Sequence, residues 1–207
     1  MGDWSQTMSS KYSRRAFEAG GIYHVFNHAI SDRKLFNCER DFRFFMGLID
    51  RHLNNNPNET NIKGVPYKKL QVKVVSYCLM ENHFHLQLQE FSADGGISEL
   101  MKIIGAEYSQ YLRKHYAWRG AIFEGRFKTV RVKTDEQNKH LTRYIHCNPR
   151  YFLNYEWSSV KYYLGKRKSS PSWLDVSLSG MSLVNYKMFL TEYDRKTKHQ
   201  DGVEFCF

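Results

Sequence analysis

Hydrophobic and polar positions change their spacing several times along the chain, and each change predicts a new element. Residues 22–28 (IYHVFNH) are β-branched and aromatic with partial alternation, which predicts a strand. A helix is predicted over 41–53, where apolar residues recur at helical spacing: Phe42, Phe45, Met46, Ile49 and Leu53. The turn-forming run 54–57 (NNNP) predicts the loop that ends it.

Two strand-like runs, 70–80 and 83–89, follow with only Glu81-Asn82 between them, which predicts an antiparallel hairpin. A second amphipathic helix is predicted after Gly95-Gly96 from a single apolar stripe: Ile97, Leu100, Met101, Ile104, Tyr108, Tyr111 and Leu112.

Residues 126–133 (RFKTVRVK) alternate basic and apolar side chains and predict another strand. Thr134-Asp135 can cap a helix that runs to about Asn148, where Pro149 helps to end it. The order is β-α-β-β-α-β-α. Its first six elements predict an α+β fold of the ferredoxin-like split βαβ type, an antiparallel sheet with helices on one face, plus an extra helix at an edge.

The chain length of 207 residues suits one domain with appendages. We expect a flexible leader over 1–20, a folded domain over 21–165 and a basic C-terminal extension over 166–207. No run of about 18 apolar residues occurs, which predicts a soluble, cytoplasmic protein with no membrane partner.

Basic residues outnumber acidic ones, 31 to 21, which gives a net charge of +10. This balance favours a partner that carries phosphates, although membrane-surface and heparin-binding proteins share it. The four cysteines form no CxxC pair, so neither a zinc ribbon nor a disulfide framework is indicated.

His83 and His85 lie two positions apart on the second hairpin strand, so both rings face the same side. Gln87 and Gln89 continue this polar row, whereas Phe84, Leu86 and Leu88 form the opposite, core-facing row. A polar row on a central strand is costly unless ligands or solvent satisfy it. The pair therefore predicts a metal site, with an exposed His-x-His as the alternative. Two imidazole ligands do not identify the metal, because several metals accept them, and a third ligand is required.

Tyr144 and Asn148 are four residues apart in the last predicted helix, and so lie one turn from each other on one face. The amide oxygen of Asn148 could be the third ligand, while Tyr144 presents its phenol to a phosphate held by the same ion. The alternative is a tyrosine that merely packs half-buried. His140, one turn earlier, could also reach DNA or a proton.

Several motifs in this order resemble the single-tyrosine HUH transposases of the insertion-sequence-200-like family, and especially its REP-associated tyrosine transposases. They span residues 21–165: YHV at 23–25, YCLMENHFHL at 77–86, FEGRFK at 123–128, RYIHCNP at 143–149, WSS at 157–159 and the segment 162–165. The chain departs from many relatives at Glu81, where they carry proline.

The resemblance implies that 21–165 is a catalytic domain that nicks and rejoins hairpin-bearing or palindromic single-stranded DNA, with no nucleotide cofactor. A tyrosine, here Tyr144, would become linked to the 5′ phosphate and leave a 3′ hydroxyl. His83, His85 and Asn148 match the ligands of a divalent metal, Mg²⁺ or Mn²⁺. Relatives act as homodimers or monomers.

Basic residues interleaved with aromatic ones are expected to contact DNA, because phosphates and unstacked bases are held in that way. They are Arg119, Arg126, Lys128, Arg131 and Lys133. Two other functions remain open: a non-catalytic nucleic-acid-binding module on the same fold, and a small metal hydrolase or oxygenase. The second predicts a carboxylate ligand in place of Asn148.

Overall fold

A computed structural model describes residues 17–54, 59–60 and 64–192. Its main elements are β1 (Ile22–His28), α1 (Glu39–Leu53), β2 (Val72–Met80), β3 (His83–Glu90), α2 (Gly96–Tyr116), β4 (Lys128–Arg131) and α3 (Asp135–His146). The segment that follows contains α4 (Val160–Tyr163), α5 (Tyr186–Thr191) and the 3₁₀ turns Phe152–Asn154, Val176–Ser179 and Leu183–Asn185. None of the helices in these ranges is long and apolar enough to cross a membrane.

The four strands form one sheet in the order β2-β3-β1-β4, and every neighbouring pair is antiparallel. This order is that of the ferredoxin-like split βαβ arrangement, so the predicted α+β fold is confirmed. The predicted hairpin is also present, because Met80 pairs with His83 across Glu81-Asn82. Strand β4 is shorter than the run 126–133, and both Arg126 and Lys133 lie outside it.

The main core lies between α1, α2 and one face of the sheet. Phe84, Leu86 and Leu88 point into it from β3, as their alternation predicts. The N-terminus of α1 is fixed to α2 by Asp41, a buried carboxylate that accepts hydrogen bonds from the hydroxyls of Tyr111 (2.6 Å) and Tyr116 (2.6 Å).

Helix α3 packs on the other face of the sheet, over β2 and β3, and Gln87 joins it to the strands. Gln87 is fully buried, and its Nε2 donates to the backbone oxygen (3.2 Å) and Oδ1 (2.6 Å) of Asn138. Its Oε1 accepts from the hydroxyls of Ser76 (2.6 Å) and Thr142 (2.9 Å). At this position the polar row is satisfied by α3 together with Ser76 of β2, with no need of solvent or a ligand.

Residues after 165 also pack on the sheet and on α3. Trp173 and Leu174 are buried in the main core, and the indole of Trp173 donates to Asp50 (2.7 Å). Farther on, Tyr186 contacts the ring of His146 on α3. The division at residue 165 stays a prediction, but the described part of the extension is in close contact with the domain. The predicted leader lies outside the described residues, apart from 17–20.

Candidate active site

His83 begins β3 directly after the hairpin turn, and both of its ring nitrogens have oxygen neighbours. Nδ1 is 2.7 Å from Oδ1 of Asn82, and Nε2 is 3.4 Å from Oδ1 of Asn148. The ring stacks on that of His28, its cross-strand partner on β1, with centroids 4.7 Å apart and planes 12° apart. If Nδ1 carries the ring proton and donates it to Asn82, Nε2 directs a lone pair toward a second acceptor, which is an arrangement suited to a cation.

Asn148 lies just beyond α3, which corrects the prediction of a helix that runs to this residue. The helix ends at His146, and Cys147 is its C-cap. The backbone N–H of Asn148 still reaches the carbonyl of Ile145 at 3.4 Å, so the chain continues the turn far enough to bring the amide to His83. Its Nδ2 is buried and has no hydrogen-bond partner among the described residues.

His85, the second histidine of the pair, is fully buried under α3. Its Nδ1 lies 2.9 Å from Nε2 of His24, which is also buried, at 1% exposure. Burial lowers the pKa of His24 to about 3, so this imidazole is neutral. Sequence reasoning missed His24. It occupies a visible polar position in the β1 run, but its approach to His85 depends on the register between strands.

Tyr144 lies on the face of α3 that packs against β2 and β3, and only 5% of it is exposed. Its ring meets those of His85 and His24 edge-on, with centroids 5.6 and 6.1 Å away. The side chain packs with Cys78, Leu141 and Ile145 in a small cluster between sheet and helix. The helix starts as predicted, because Thr134 Oγ1 accepts from the backbone N–H of Gln137 at 3.1 Å.

The donor atoms of this site suit a divalent ion. Two atoms bound to one ion by bonds of about 2.1 Å lie about 3.0 to 3.4 Å apart, depending on the coordination angle. The 3.4 Å between His83 Nε2 and Asn148 Oδ1 is at the upper end of that range. Imidazole nitrogen with an amide oxygen is a set that Mn²⁺, Mg²⁺ and Zn²⁺ accept. Among the described residues, no group of three or more His, Cys, Asp and Glu side chains is arranged to hold a metal.

Of the five basic residues predicted to contact DNA, Lys128 lies on the same face of the sheet as His85. Lys128 pairs across strands with Phe26, and Phe26 in turn pairs with His85. Burial lowers the pKa of nearby His28, while the negative charge of Glu124 raises it and the positive charge of Lys128 lowers it. Charges of both signs therefore lie close to His28.

The other four basic residues lie elsewhere. Arg131 pairs with Tyr23 on the opposite face and forms an ion pair with Glu18 at 2.6 Å. Arg126 lines a cavity of about 770 Å³ between α2 and the loop before β4. Arg119 is in the loop after α2, and Lys133 is in the turn before α3. His140 contacts Glu136 and Arg143 on its own helix.

The part of the chain that carries these groups is similar to a known protein family. Residues 55–148 match a family model described as "Transposase IS200 like". The matched range includes both histidines, Tyr144 and Asn148, and the predicted resemblance to this family is confirmed. None of the curated proteins compared with the chain matches it.

The chain is similar in structure to a solved protein, a REP-associated tyrosine transposase bound to a REP hairpin. It is 15% identical, with a TM-score of 0.55, and the alignment covers 79% of this chain and 92% of that one. At 15% sequence identity, this structural similarity shows that the two proteins share a fold.

Proposed function

We propose that this chain is a metal-dependent, single-tyrosine transposase that cuts and rejoins hairpin-bearing single-stranded DNA. The observation that carries the proposal is the approach of His83 Nε2 to Asn148 Oδ1 at 3.4 Å, with Tyr144 in the last turn of α3, four residues before Asn148. The IS200-like match over 55–148 and the net charge of +10 support a DNA substrate. The hairpin preference is inferred from the REP hairpin bound to the solved neighbour.

In the proposed reaction the phenol oxygen of Tyr144 attacks a phosphorus atom of the DNA backbone. A bond forms between that oxygen and phosphorus, the bond from phosphorus to the 3′ oxygen breaks, and the phenol proton is released while the 3′ oxygen gains one. A 5′-phosphotyrosine and a free 3′ hydroxyl result, and attack by a 3′ hydroxyl reverses the step without hydrolysis. A bound Mg²⁺ or Mn²⁺ would withdraw charge from the phosphate and stabilise the developing negative charge.

The residues of the proposed site would have different roles in this reaction. His83, His85 and Asn148 would hold the ion, and the buried Nδ2 donor of Asn148 suits a phosphate oxygen. Lys128 contributes positive charge on the same face of the sheet. All of these groups come from one chain, so we propose that a monomer contains a complete site.

The test is covalent capture on hairpin-bearing single strands in Mn²⁺ or Mg²⁺. We expect a protein–DNA adduct that survives denaturation and retains the segment 3′ to the cut, with the other product ending in a 3′ hydroxyl. Tyr144→Phe should abolish the adduct, whereas Tyr151→Phe, at a tyrosine that is 75% exposed, should retain it. Adduct formation by Tyr144→Phe would contradict the assignment of Tyr144 as the nucleophile. No adduct with the wild-type protein would contradict the proposal as a whole and favour a non-catalytic nucleic-acid-binding module.

A further inference from the structure

His24 and His85 form a buried pair of imidazoles on the face of the sheet that α3 covers. His24 lies opposite Gln87 in the register, one diagonal step from His85, so the two side chains are neighbours on one face. They are 1% and 0% exposed. The 2.9 Å contact from His24 Nε2 to His85 Nδ1 joins rings whose planes differ by 24°. The ring centroids are 5.1 Å apart, which is nearly the largest separation that this N···N contact allows. The contact therefore runs close to the plane of both rings, as an N–H···N hydrogen bond requires.

Only two proton arrangements satisfy this contact between neutral rings. A neutral imidazole has one N–H and one lone pair, so one of the facing nitrogens must donate and the other must accept. If His24 donates, His85 carries its own proton on Nε2, and that nitrogen cannot bind an ion. If His85 donates from Nδ1, its Nε2 presents a lone pair.

We infer that His24 is a positioning residue, which accepts a hydrogen bond from Nδ1–H of His85 and thereby holds His85 in the form whose Nε2 can bind a metal. The inference rests on the proposed function in one respect, the role of His85 as a ligand. A histidine that binds a metal commonly donates its other N–H to an oxygen, which fixes the ring and its tautomer. Here the acceptor is a second imidazole.

The other histidine of the pair has the same arrangement, which supports the inference. His83 Nδ1 is 2.7 Å from Oδ1 of Asn82, an atom that can only accept, so this contact is a hydrogen bond when His83 carries its ring proton on Nδ1. Both histidines thus have Nδ1 engaged by a neighbour and Nε2 on the remaining edge of the ring. Phe26 fixes the plane of His24 in turn, because the two rings lie 4.7 Å apart and 25° from parallel.

The first test reads the tautomer directly in the metal-free protein. Nitrogen-15 NMR of the histidine rings separates Nδ1–H from Nε2–H, and His85→Gln and His24→Gln assign the two spin systems. We expect His85 to be protonated on Nδ1 and His24 to accept on Nε2. Protonation of His85 on Nε2 would overturn the inference.

The second test compares two substitutions by their affinity for Mn²⁺ alone, measured by calorimetry with no DNA present. His24→Leu removes the acceptor, and we expect the affinity to fall by about 10- to 100-fold, as for other residues that orient a metal ligand. His24→Gln offers an amide oxygen in its place and should restore most of that loss. His115→Gln, at an exposed histidine near the end of α2, is the control and should bind like the wild type.

Thermal unfolding of each variant separates a loss of folding from a loss of positioning. If His24→Leu does not fold, the wild-type tautomer and the His24→Gln affinity decide the question. Wild-type affinity in a folded His24→Leu protein would overturn the inference. A wild-type protein that forms no DNA adduct but holds His85 in the Nδ1–H form would contradict the proposed function and leave the assignment of His24 standing.

Discussion

At the scale of single residues, strand alternation decides which basic side chains can reach the site. Lys128 and Arg131 are both on β4, three positions apart, and therefore point to opposite faces of the sheet. Lys128 lies across Phe26 from His85, with its ammonium 5.9 Å from the centre of the Phe26 ring. Arg131 lies on the other face and is already paired with Glu18.

We therefore predict that Lys128→Ala weakens binding of single-stranded DNA and that Arg131→Ala weakens it less. Loss of one phosphate contact should reduce the slope of log affinity against log salt by about 1. Fluorescence anisotropy titrations at several salt concentrations measure both quantities. Equal losses in the two variants would show that the face of β4 does not matter.

Asn148 gives a second prediction at this scale. Asn148→Ala removes an oxygen donor next to His83, and we expect Mn²⁺ affinity to fall by at least about tenfold, because a hard ion depends on oxygen ligands. Asn148→Asp keeps an oxygen and adds a negative charge, so it should bind Mn²⁺ at least as tightly as the wild type. If neither variant changes the affinity in calorimetry, Asn148 is not a ligand.

Residue positions within one element were predictable from sequence, and contacts between elements were not. The alternation of β3 predicts that both histidines and both glutamines lie on one face, and the helical pattern predicts that Tyr144 lies on a helix, which α3 confirms. His24 could not be selected in the same way, because a slip of one residue in the pairing of β1 with β3 would turn its side chain to the other face. Its position follows from the register of Phe26 with His85, which only the folded sheet defines.

At the scale of elements, the position of α3 depends on Gln87. Gln87→Met would leave the partners of its amide, among them Ser76 and Thr142, buried without their hydrogen bonds. We predict a loss of about 2 to 4 kcal/mol in the free energy of unfolding, measured by urea denaturation. Gln89→Met is the matched control two positions along the same face. Gln89 is half-buried, and in the described part of the chain its amide makes one hydrogen bond, to the carbonyl of Gly20, so the loss should stay below about 1 kcal/mol.

Asp41, which joins α1 to α2, makes the stability depend on pH. Burial alone would raise the pKa of its carboxyl, but hydrogen bonds from Tyr111, Tyr116 and the backbone N–H groups of Asn37 and Cys38 outweigh burial and lower it below 3.8. A carboxyl with a lowered pKa stabilises the fold above its ordinary pKa, and that contribution is lost as the pH falls through the folded value.

Asp41→Asn should therefore destabilise the protein at neutral pH, by about 1 to 3 kcal/mol. The loss should shrink on acidification below pH of about 4, because the wild-type carboxyl is then protonated as well. Urea denaturation at a series of pH values checks both statements. Tyr116→Phe removes one donor and should reduce the wild-type pH dependence in part. A pH-independent difference between Asp41→Asn and the wild type would contradict the assignment.

The ends of elements were less predictable than the elements themselves. The pattern over 126–133 alternates throughout, yet β4 covers only Lys128–Arg131, which pair with the stretch of β1 from Phe26 back to Tyr23. Similarly, α3 stops at His146, two residues before Asn148. A periodic sequence pattern indicates which side chains are buried. The ends of a strand or helix depend on backbone hydrogen bonds, which the pattern does not show.

At the scale of the whole molecule, the segment after residue 165 contributes to the main fold. Trp173 is 3% exposed and donates to Asp50 on α1. We predict that Trp173→Ala lowers the free energy of unfolding by about 3 to 5 kcal/mol, as for other buried aromatic residues. Val184→Ala, at a side chain that is 89% exposed, should change it by less than about 0.5 kcal/mol. Urea denaturation of both variants is the measurement.

Sequence patterns beyond residue 150 were too weak to predict this packing. The helices there are short, with only four residues in Val160–Tyr163 and six in Tyr186–Thr191. Helices of this length are not stable alone and form through contacts with the rest of the protein. Each of these helices has too few apolar residues for helical periodicity to be recognised in the sequence. The role of Trp173, a bulky side chain in this segment, is evident only when its contact with α1 is known.

The buried amide of Gln87 also has a consequence for the dynamics of the molecule. Its bonds to Asn138 and Thr142 on α3 and to Ser76 on β2 cannot be released one element at a time without exposing several unsatisfied groups. Sheet and helix should therefore open together, as one cooperative unit. In amide hydrogen exchange, the central turns of α3 should be protected to nearly the same free energy as β3, with the tyrosine fixed to the slowest-opening part of the protein.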